Sequence, residues 1–361
     1  MARLAALFLI ALTGAVPAVA EVVRFPAPAG TALREMVIYS SLDANLAAPL
    51  VEAFQARNPG VAVRYEDLLA AEIADRVRAE TDAGGPTADF AFSSGMDLQI
   101  KLANDGYAQP VDVPAARGWP RWANWRDTAF ALTYEPAVLV YHKPSFPEGP
   151  PRTRFELLDW LAEVPEGGPP RVGTYDIARS QVGYLFLARD VEHFPDIWSL
   201  IAAMGRAGVE TYPTSQEILD RVADGRLVLG YNILGSYAAD QARLFPDLGI
   251  VLLKDYTVVV SRVALVPRAA RSPDLGSAFA AFLMSGEGQA MLSEKLRLPA
   301  LGLDVSGAAG SGGMRGAQGS ELRPVPVSPG LLSYIDQSRQ RLLLRKWSKA
   351  LSAASPRVSG R

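Results

Sequence analysis

The stretch Ala88-Asp89-Phe90-Ala91-Phe92-Ser93-Ser94-Gly95-Met96-Asp97-Leu98-Gln99-Ile100 decides the fold. Asp89 to Phe92 is short, apolar and aromatic, as a buried strand requires. Ser93-Ser94 supplies helix-opening hydroxyls, and the helix runs to about Asn104, where Asp105-Gly106 stops it. Upstream the same order appears twice. Met36-Val37-Ile38-Tyr39 reads as a strand ending in Ser40-Ser41, followed by a helix over 42–57 that Asn58-Pro59-Gly60 closes. Val61 to Tyr65 is the next strand and Ala70 to Glu80 its helix. Strands and helices alternating at this spacing imply a parallel sheet with helices on its faces.

Downstream, residues 111–136 carry Trp119, Trp122 and Trp125 among several prolines and read as irregular surface. Ala137 to Tyr141 is a strongly apolar strand. The helix Phe155–Val164, the strand Arg171–Thr174, a helix starting near Ser180, the strand Leu227–Tyr231 and a helix start near Ser236 form a second α/β unit. Tyr256–Val266 is rich in β-branched residues and long enough to pass between two bodies, and the helix Leu275–Leu292 resumes the style of the first unit. The economical architecture is α/β with two lobes, the second inserted into the first: 21–136 and 267–303 form lobe one, and 137–266 lobe two. Ala137–Tyr141 and Tyr256–Val266 are then the hinge strands, where small backbone rotations open or close a cleft.

The first twenty residues read as a cleavable export signal. Arg3 precedes the apolar run Leu4–Ile10, and Ala18-Val19-Ala20 precedes Glu21. The apolar run is too short to cross a bilayer permanently. The chain has no cysteine, which excludes disulfides, thiolate metal sites and a lipid-anchored cysteine. The expected location is therefore a Gram-negative periplasm. Losing Arg3 leaves 35 basic against 38 acidic residues, and the net charge moves from −2 to −3. No basic footprint for nucleic acid exists. Residues 304–322, rich in Gly, Ser and Ala, read as a flexible loop. In 323–361 a basic amphipathic helix over 331–349 either covers lobe one or docks a membrane partner.

Helix N-termini at the carboxyl edge of a parallel sheet carry unpaired N–H groups and partial positive charge. Ser40, Ser41, Ser93, Ser94 and Ser180 sit at such positions and suit a carboxylate or phosphate, although serine is also a common helix cap without any ligand. Asp43 and Asp97 compete for the same N–H groups. Arg179 is a candidate bidentate partner for an anion. Arg262, inside an apolar strand, either meets ligand or pairs with an acid. Asn232 and Tyr256, at strand ends, are candidates for the neutral part of a ligand. His142 and His193 lie in no nucleophile or zinc motif, and no complete dinucleotide or phosphate-loop fingerprint occurs, so no enzyme and no cofactor is expected.

Taken in order, Val37-Ile38-Tyr39-Ser40-Ser41, Ala88 to Tyr107, the strand ending at Tyr141 and Asp255 to Pro267 resemble the periplasmic solute-binding proteins of ABC transporters. The likeness spans roughly residues 36–300 and points to the branch that binds ferric iron, sugar phosphates or phosphoglycerate. The resemblance implies a type II two-lobed fold closing on one solute, no cofactor, and a monomer that meets an ABC permease or, in sensory members, a membrane sensor kinase. By position it implies anion contacts at Ser40, Ser41, Ser93 and Ser94 in lobe one, and at Arg179, Ser180 and Gln181 in lobe two. Iron binders carry an adjacent tyrosine pair where this chain has Gly230-Tyr231-Asn232-Ile233. A small organic anion is thus expected rather than ferric iron.

Overall fold

The computed structural model describes residues 21–114, 117, 119–165, 171–294 and 321–352. The expected export signal and residues 304–320 of the expected flexible loop 304–322 lie outside these residues; Leu322, at that loop's end, is instead in a strand, paired with Thr257.

Strands β1 (Glu21–Phe25), β2 (Arg34–Ser40), β3 (Val61–Asp67) and β4 (Phe90–Ser93) alternate with helices α1 (Ala44–Arg57), α2 (Ala70–Asp82) and α3 (Met96–Asn104). Short strands β5 (Ala108–Gln109), β6 (Asn124–Trp125) and β7 (Ala129–Ala131) follow. Next come β8 (Glu135–His142), α4 (Arg154–Ala162), β9 (Val172–Tyr175), α5 (Gln181–His193) and α6 (Ile197–Arg206). The middle of the chain then continues with β10 (Glu210–Tyr212), α7 (Ser215–Ala223), β11 (Leu229–Leu234), α8 (Gly235–Leu244), β12 (Leu248–Val251) and β13 (Thr257–Val260). β14 (Val263–Pro267), α9 (Pro273–Met284) and α10 (Gly286–Glu294) return to the first body, and β15 (Leu322–Pro324) and α11 (Gln337–Ser352) complete the chain.

Two sheets result. The first has the order β1-β3-β2-β4-β14-β7-β6, with β5 also on β14, and its centre β3-β2-β4 is parallel. Alternation along β2 sends Met36 and Ile38 into a core with Phe54, Phe90 and Phe279, and Tyr39 to the opposite face with Ile73 and Val77. Helices therefore cover both faces. The second sheet has the order β10-β9-β11-β8-β13-β15, with β12 beside β8; β10-β9-β11 is parallel and β8 antiparallel to its neighbours. The fold is a two-lobed α/β architecture.

The crossings differ from the sequence expectation. Ala137–Tyr141 lies wholly within β8, hydrogen-bonded to β11 and β12 inside the second sheet. The chain passes between sheets at Leu132-Thr133-Tyr134, and Tyr256–Val266 is divided at Ser261-Arg262. These two short crossings run side by side: Leu132 N–H donates to Arg262 O at 3.0 Å, and Arg262 N–H to Thr133 Oγ1 at 2.7 Å. Strong apolarity in β8 marks burial within a sheet, not passage between lobes.

Two other expectations are corrected. Trp119, Trp122 and Trp125 are not loose surface; they pack against the cores, and the Trp119 indole donates to Ala131 O at 2.7 Å. The C-terminal helix is α11, preceded by a separate 3-10 turn over Pro329–Tyr334, and it packs on α6 of the second lobe rather than on lobe one. Leu343 and Trp347 enter that lobe's core. The 3-10 turn reaches the first lobe at α3, and Val327 N–H just before it donates to Trp122 O at 2.7 Å.

Candidate functional site

A cavity of about 330 Å³ lies between the lobes and is walled by both. Lobe one contributes Ser41 and Asp43 from the β2–α1 turn, Asp67 to Ala71 from the β3–α2 turn, and Ser94 from the β4–α3 turn. From lobe two come Tyr175 and Ile177 to Val182 around the β9–α5 turn, Pro213 to Gln216 before and at the start of α7, and Leu234 and Tyr237 at α8. Arg262 at the crossing and Gln340 of α11 complete the wall. Six helices thus open onto one space, as expected where the carboxyl edges of two parallel sheets face each other. The opening N–H groups of Ala70, Ala71, Gln181, Val182, Ser215 and Gln216 find no acceptor among the described residues.

Two glycines let these helix ends approach. A Cβ on Gly183 would sit 2.3 Å from Tyr175 Cβ, so the first turn of α5 lies flat against β9. A Cβ on Gly95 would sit 2.7 Å from Ala70 Cβ, where the starts of α2 and α3 meet.

Of the ten residues singled out from sequence, six line the cavity: Ser41, Ser94, Arg179, Ser180, Gln181 and Arg262. Ser41 is the hub of lobe one. Its Oγ accepts from Ser94 N–H at 3.1 Å and lies 3.4 Å from both Ser93 Oγ and Ser94 Oγ. Arg262 Nη1 donates to Ser41 O at 2.9 Å. Ser180 caps α5, its Oγ accepting from Gly183 N–H at 3.3 Å. The Arg179 guanidinium is exposed and has no hydrogen bond or ion pair among the described residues.

The other four do not reach the cavity. Ser40 is buried and its Oγ accepts from Leu42 N–H, whereas Ser93, also buried, accepts from Gly95 N–H; both fix turn geometry behind the wall. Asn232 and Tyr256 belong to a polar knot inside lobe two. Asn232 Nδ2 and Tyr231 OH donate to Asp190 Oδ2 at 2.6 and 2.8 Å, and Tyr256 OH to Asp190 Oδ1 at 2.6 Å. The buried Arg154 closes the knot with an ion pair to Asp190 at 3.0 Å. Asn232 adopts φ 60° at a bulge in β11, which turns its side chain inward.

Arg262 does both things its sequence position allowed. It borders the cavity, and its Nε faces Glu135 Oε1 at 3.2 Å, an ion pair not aligned as a hydrogen bond. Glu135 is itself held by Thr133 Oγ1 at 2.8 Å and Ser236 Oγ at 2.6 Å.

Sequence reading missed Asp67, Thr214 and Tyr237. Thr214 carried a signal: Thr214-Ser215-Gln216-Glu217 is a capping-box pattern, and Thr214 Oγ1 accepts from Glu217 N–H. Asp67 has its pKa pushed up to about 6, chiefly by burial and then by Asp43, against the Ala44 N–H and Arg262. Burial likewise lifts Asp97 to about 6, opposed by the Gln181 side chain, which donates to it across the cleft. Desolvation raises the Tyr237 phenol well above its ordinary value.

The sequence model of a bacterial extracellular solute-binding protein family matches residues 49–305. No curated protein matches. The substrate-binding protein of an ABC transporter from Agrobacterium tumefaciens is 56% identical, with TM-score 0.87 over 93% of this chain and 100% of that one. AfuA of Actinobacillus pleuropneumoniae, solved with exogenous fructose-6-phosphate, has TM-score 0.68 at 14% identity over 89% of this chain and 99% of its own. Iron-bound HitA of Pseudomonas aeruginosa has TM-score 0.68 at 16% identity over 88% and 99%. These last two share the fold. With the family match across most of the chain and the close likeness to the Agrobacterium protein, this chain belongs to the bacterial extracellular solute-binding proteins.

Proposed function

We propose that this chain is a periplasmic solute receptor that closes on a small organic anion and hands it to the permease of an ABC transporter. The observation that carries this reading is the convergence of six helix openings from both lobes on one cavity. The opening N–H groups of α5 and α7, the hydroxyls of Ser41, Ser94 and Ser180, and the unpaired Arg179 supply donors that suit a phosphate, phosphonate or carboxylate. Ser40 and Ser93 hold the turns that present them. The two adjacent crossings let the lobes rotate about a narrow waist, and closure buries the solute. The likeness to the Agrobacterium ABC-transporter protein supports delivery to a permease, and the reading of residues 1–20 as an export signal supports a periplasmic setting. Tyr231, at the place of the iron binders' tyrosine pair, turns its hydroxyl to Arg154 and Asp190, which favours an organic anion over ferric iron.

Calorimetry of the mature chain against organic phosphates, phosphonates and carboxylates tests the proposal, together with solution scattering for lobe closure. Micromolar binding that compacts the protein is expected; failure of every anion to bind or compact it overturns the reading.

A further inference from the structure

We infer that the solute is dipolar, carrying a protonated amine as well as its anionic group, with the amine seated between Asp43 and Asp67. This rests on the inter-lobe cavity being the solute site.

The charges around the cavity do not suit a simple anion. Its lining holds two arginines, Arg179 and Arg262, and two carboxylates, Asp43 and Asp67. Arg262 is already matched, since it faces the buried Glu135 at 3.2 Å. One unmatched cation, Arg179, therefore stands against two carboxylates. A guest bearing only negative charge would add repulsion against the two carboxylates. A guest with an ammonium brings the missing charge.

Hydrogen-bonding capacity points the same way. Ionised carboxylates accept several hydrogen bonds each. Asp43 Oδ1 takes the Tyr237 hydroxyl at 2.7 Å, and Asp43 makes no cap bond to α1. Asp67 is met by the Ala44 N–H. Both retain acceptor sites toward the cavity, and both stand on lobe one, at neighbouring strand ends. The donor-rich wall at α5, with Arg179, and at α7 is on lobe two. A dipolar guest would thus lie across the cleft, amine toward lobe one and anion toward lobe two, engaging both lobes on closure. Sugar hydroxyls would satisfy the acceptors but leave the charge unmatched. The volume of about 330 Å³ admits a compact molecule of this kind.

Calorimetry with matched pairs tests the inference on the full mature chain. Phosphoethanolamine is compared with ethyl phosphate, and 4-aminobutanoate with butanoate; glucose 6-phosphate and putrescine represent anion without amine and amine without anion. The expected result is that in at least one pair the amine-bearing member binds at least tenfold more tightly than its partner. Asp67→Asn and Asp43→Asn should each cut that ratio below threefold. If ethyl phosphate, butanoate or glucose 6-phosphate binds as tightly as the amine-bearing molecules, the dipolar inference falls and anion capture stands. Tightest binding of putrescine, or no binding by any of the six, overturns both.

Discussion

The phenol of Tyr237, on the first turn of α8 in lobe two, donates a 2.7 Å hydrogen bond to Asp43, which precedes α1 in lobe one. With the bond from Gln181 to Asp97, it is one of two side-chain hydrogen bonds that span the cleft among the described residues. Both acceptors are carboxylates, and such hydrogen bonds are the stronger class.

Tyr237→Phe keeps the ring and removes the link. A hydrogen bond to a charged acceptor contributes about 1.5–3 kcal/mol, and each 1.4 kcal/mol is about a factor of ten in affinity. Solute affinity should fall about tenfold, and the solute-free protein should show a larger radius of gyration by scattering. Unchanged affinity and radius would remove the latch role.

Arg179 has no competing partner among the described residues, so its whole donor fork is available. Arg179→Ala should weaken solute binding about tenfold to a hundredfold by calorimetry, with the melting temperature little changed because the side chain is exposed. Arg179→Lys should recover only part, since a point charge does not reproduce two parallel bonds. Full recovery by lysine would argue against bidentate contact.

Asp67 and Asp97 each titrate near 6 in the folded chain, above their ordinary 3.8. Protonation therefore favours the folded state: the stabilisation is complete below about pH 4 and is lost as pH rises through about 6. His193, whose pKa burial lowers, works the opposite way, so the comparison with a variant is the readout. Asp67→Asn should raise stability at pH 7 by about 1 kcal/mol, after discounting for solvent screening, and flatten the melting profile between pH 7 and 5. An identical pH profile in the variant would show that Asp67 ionises freely.

Asp190 accepts from Arg154, Tyr231, Asn232 and Tyr256 at once, entirely out of water. Removing one member of a buried ion pair typically costs about 3–5 kcal/mol, because the other charge stays buried. Asp190→Ala should lose about that much in urea unfolding. A loss below about 1 kcal/mol would mean the knot relaxes around the gap.

Trp347 fills the join between α11 and lobe two. Trp347→Ala should cost about 3 kcal/mol in thermal or urea unfolding, and deletion of 331–361 should unfold lobe two. A stable truncated chain would show that the tail is accessory.

The strand–helix alternation was legible because strands buried on both faces leave unbroken apolar runs, such as Met36 to Tyr39 and Asp89 to Phe92. Serines at strand ends marked the cavity wall at Ser41, Ser94 and Ser180, because helix openings gather at the carboxyl edge of a parallel sheet, but the same rule took in Ser40 and Ser93, whose hydroxyls only fix the turns. Asn232 was misplaced because period-two alternation fails at a bulge, and nothing in Gly230-Tyr231-Asn232-Ile233 announces one. Tyr256 lies against the Arg154 guanidinium, 3.7 Å from its ring centroid, a partner about a hundred residues away that local pattern does not register. Apolarity pointed to the wrong crossing for a similar reason: β8 is a central strand, and the actual waist, Leu132-Thr133-Tyr134, has no distinctive composition.

The chain's last described stretch leaves the edge of the second sheet at β15, lays the 3-10 turn of Pro329–Tyr334 against α3, and returns to α6 as α11. The two bodies are therefore joined along a flank as well as at the waist. Any parting of the lobes has to keep α3 near that strap or peel it away, so the travel is small where the strap lies and widest on the side farthest from it. Entry for the solute should accordingly be lopsided, a wedge that gapes away from the tail.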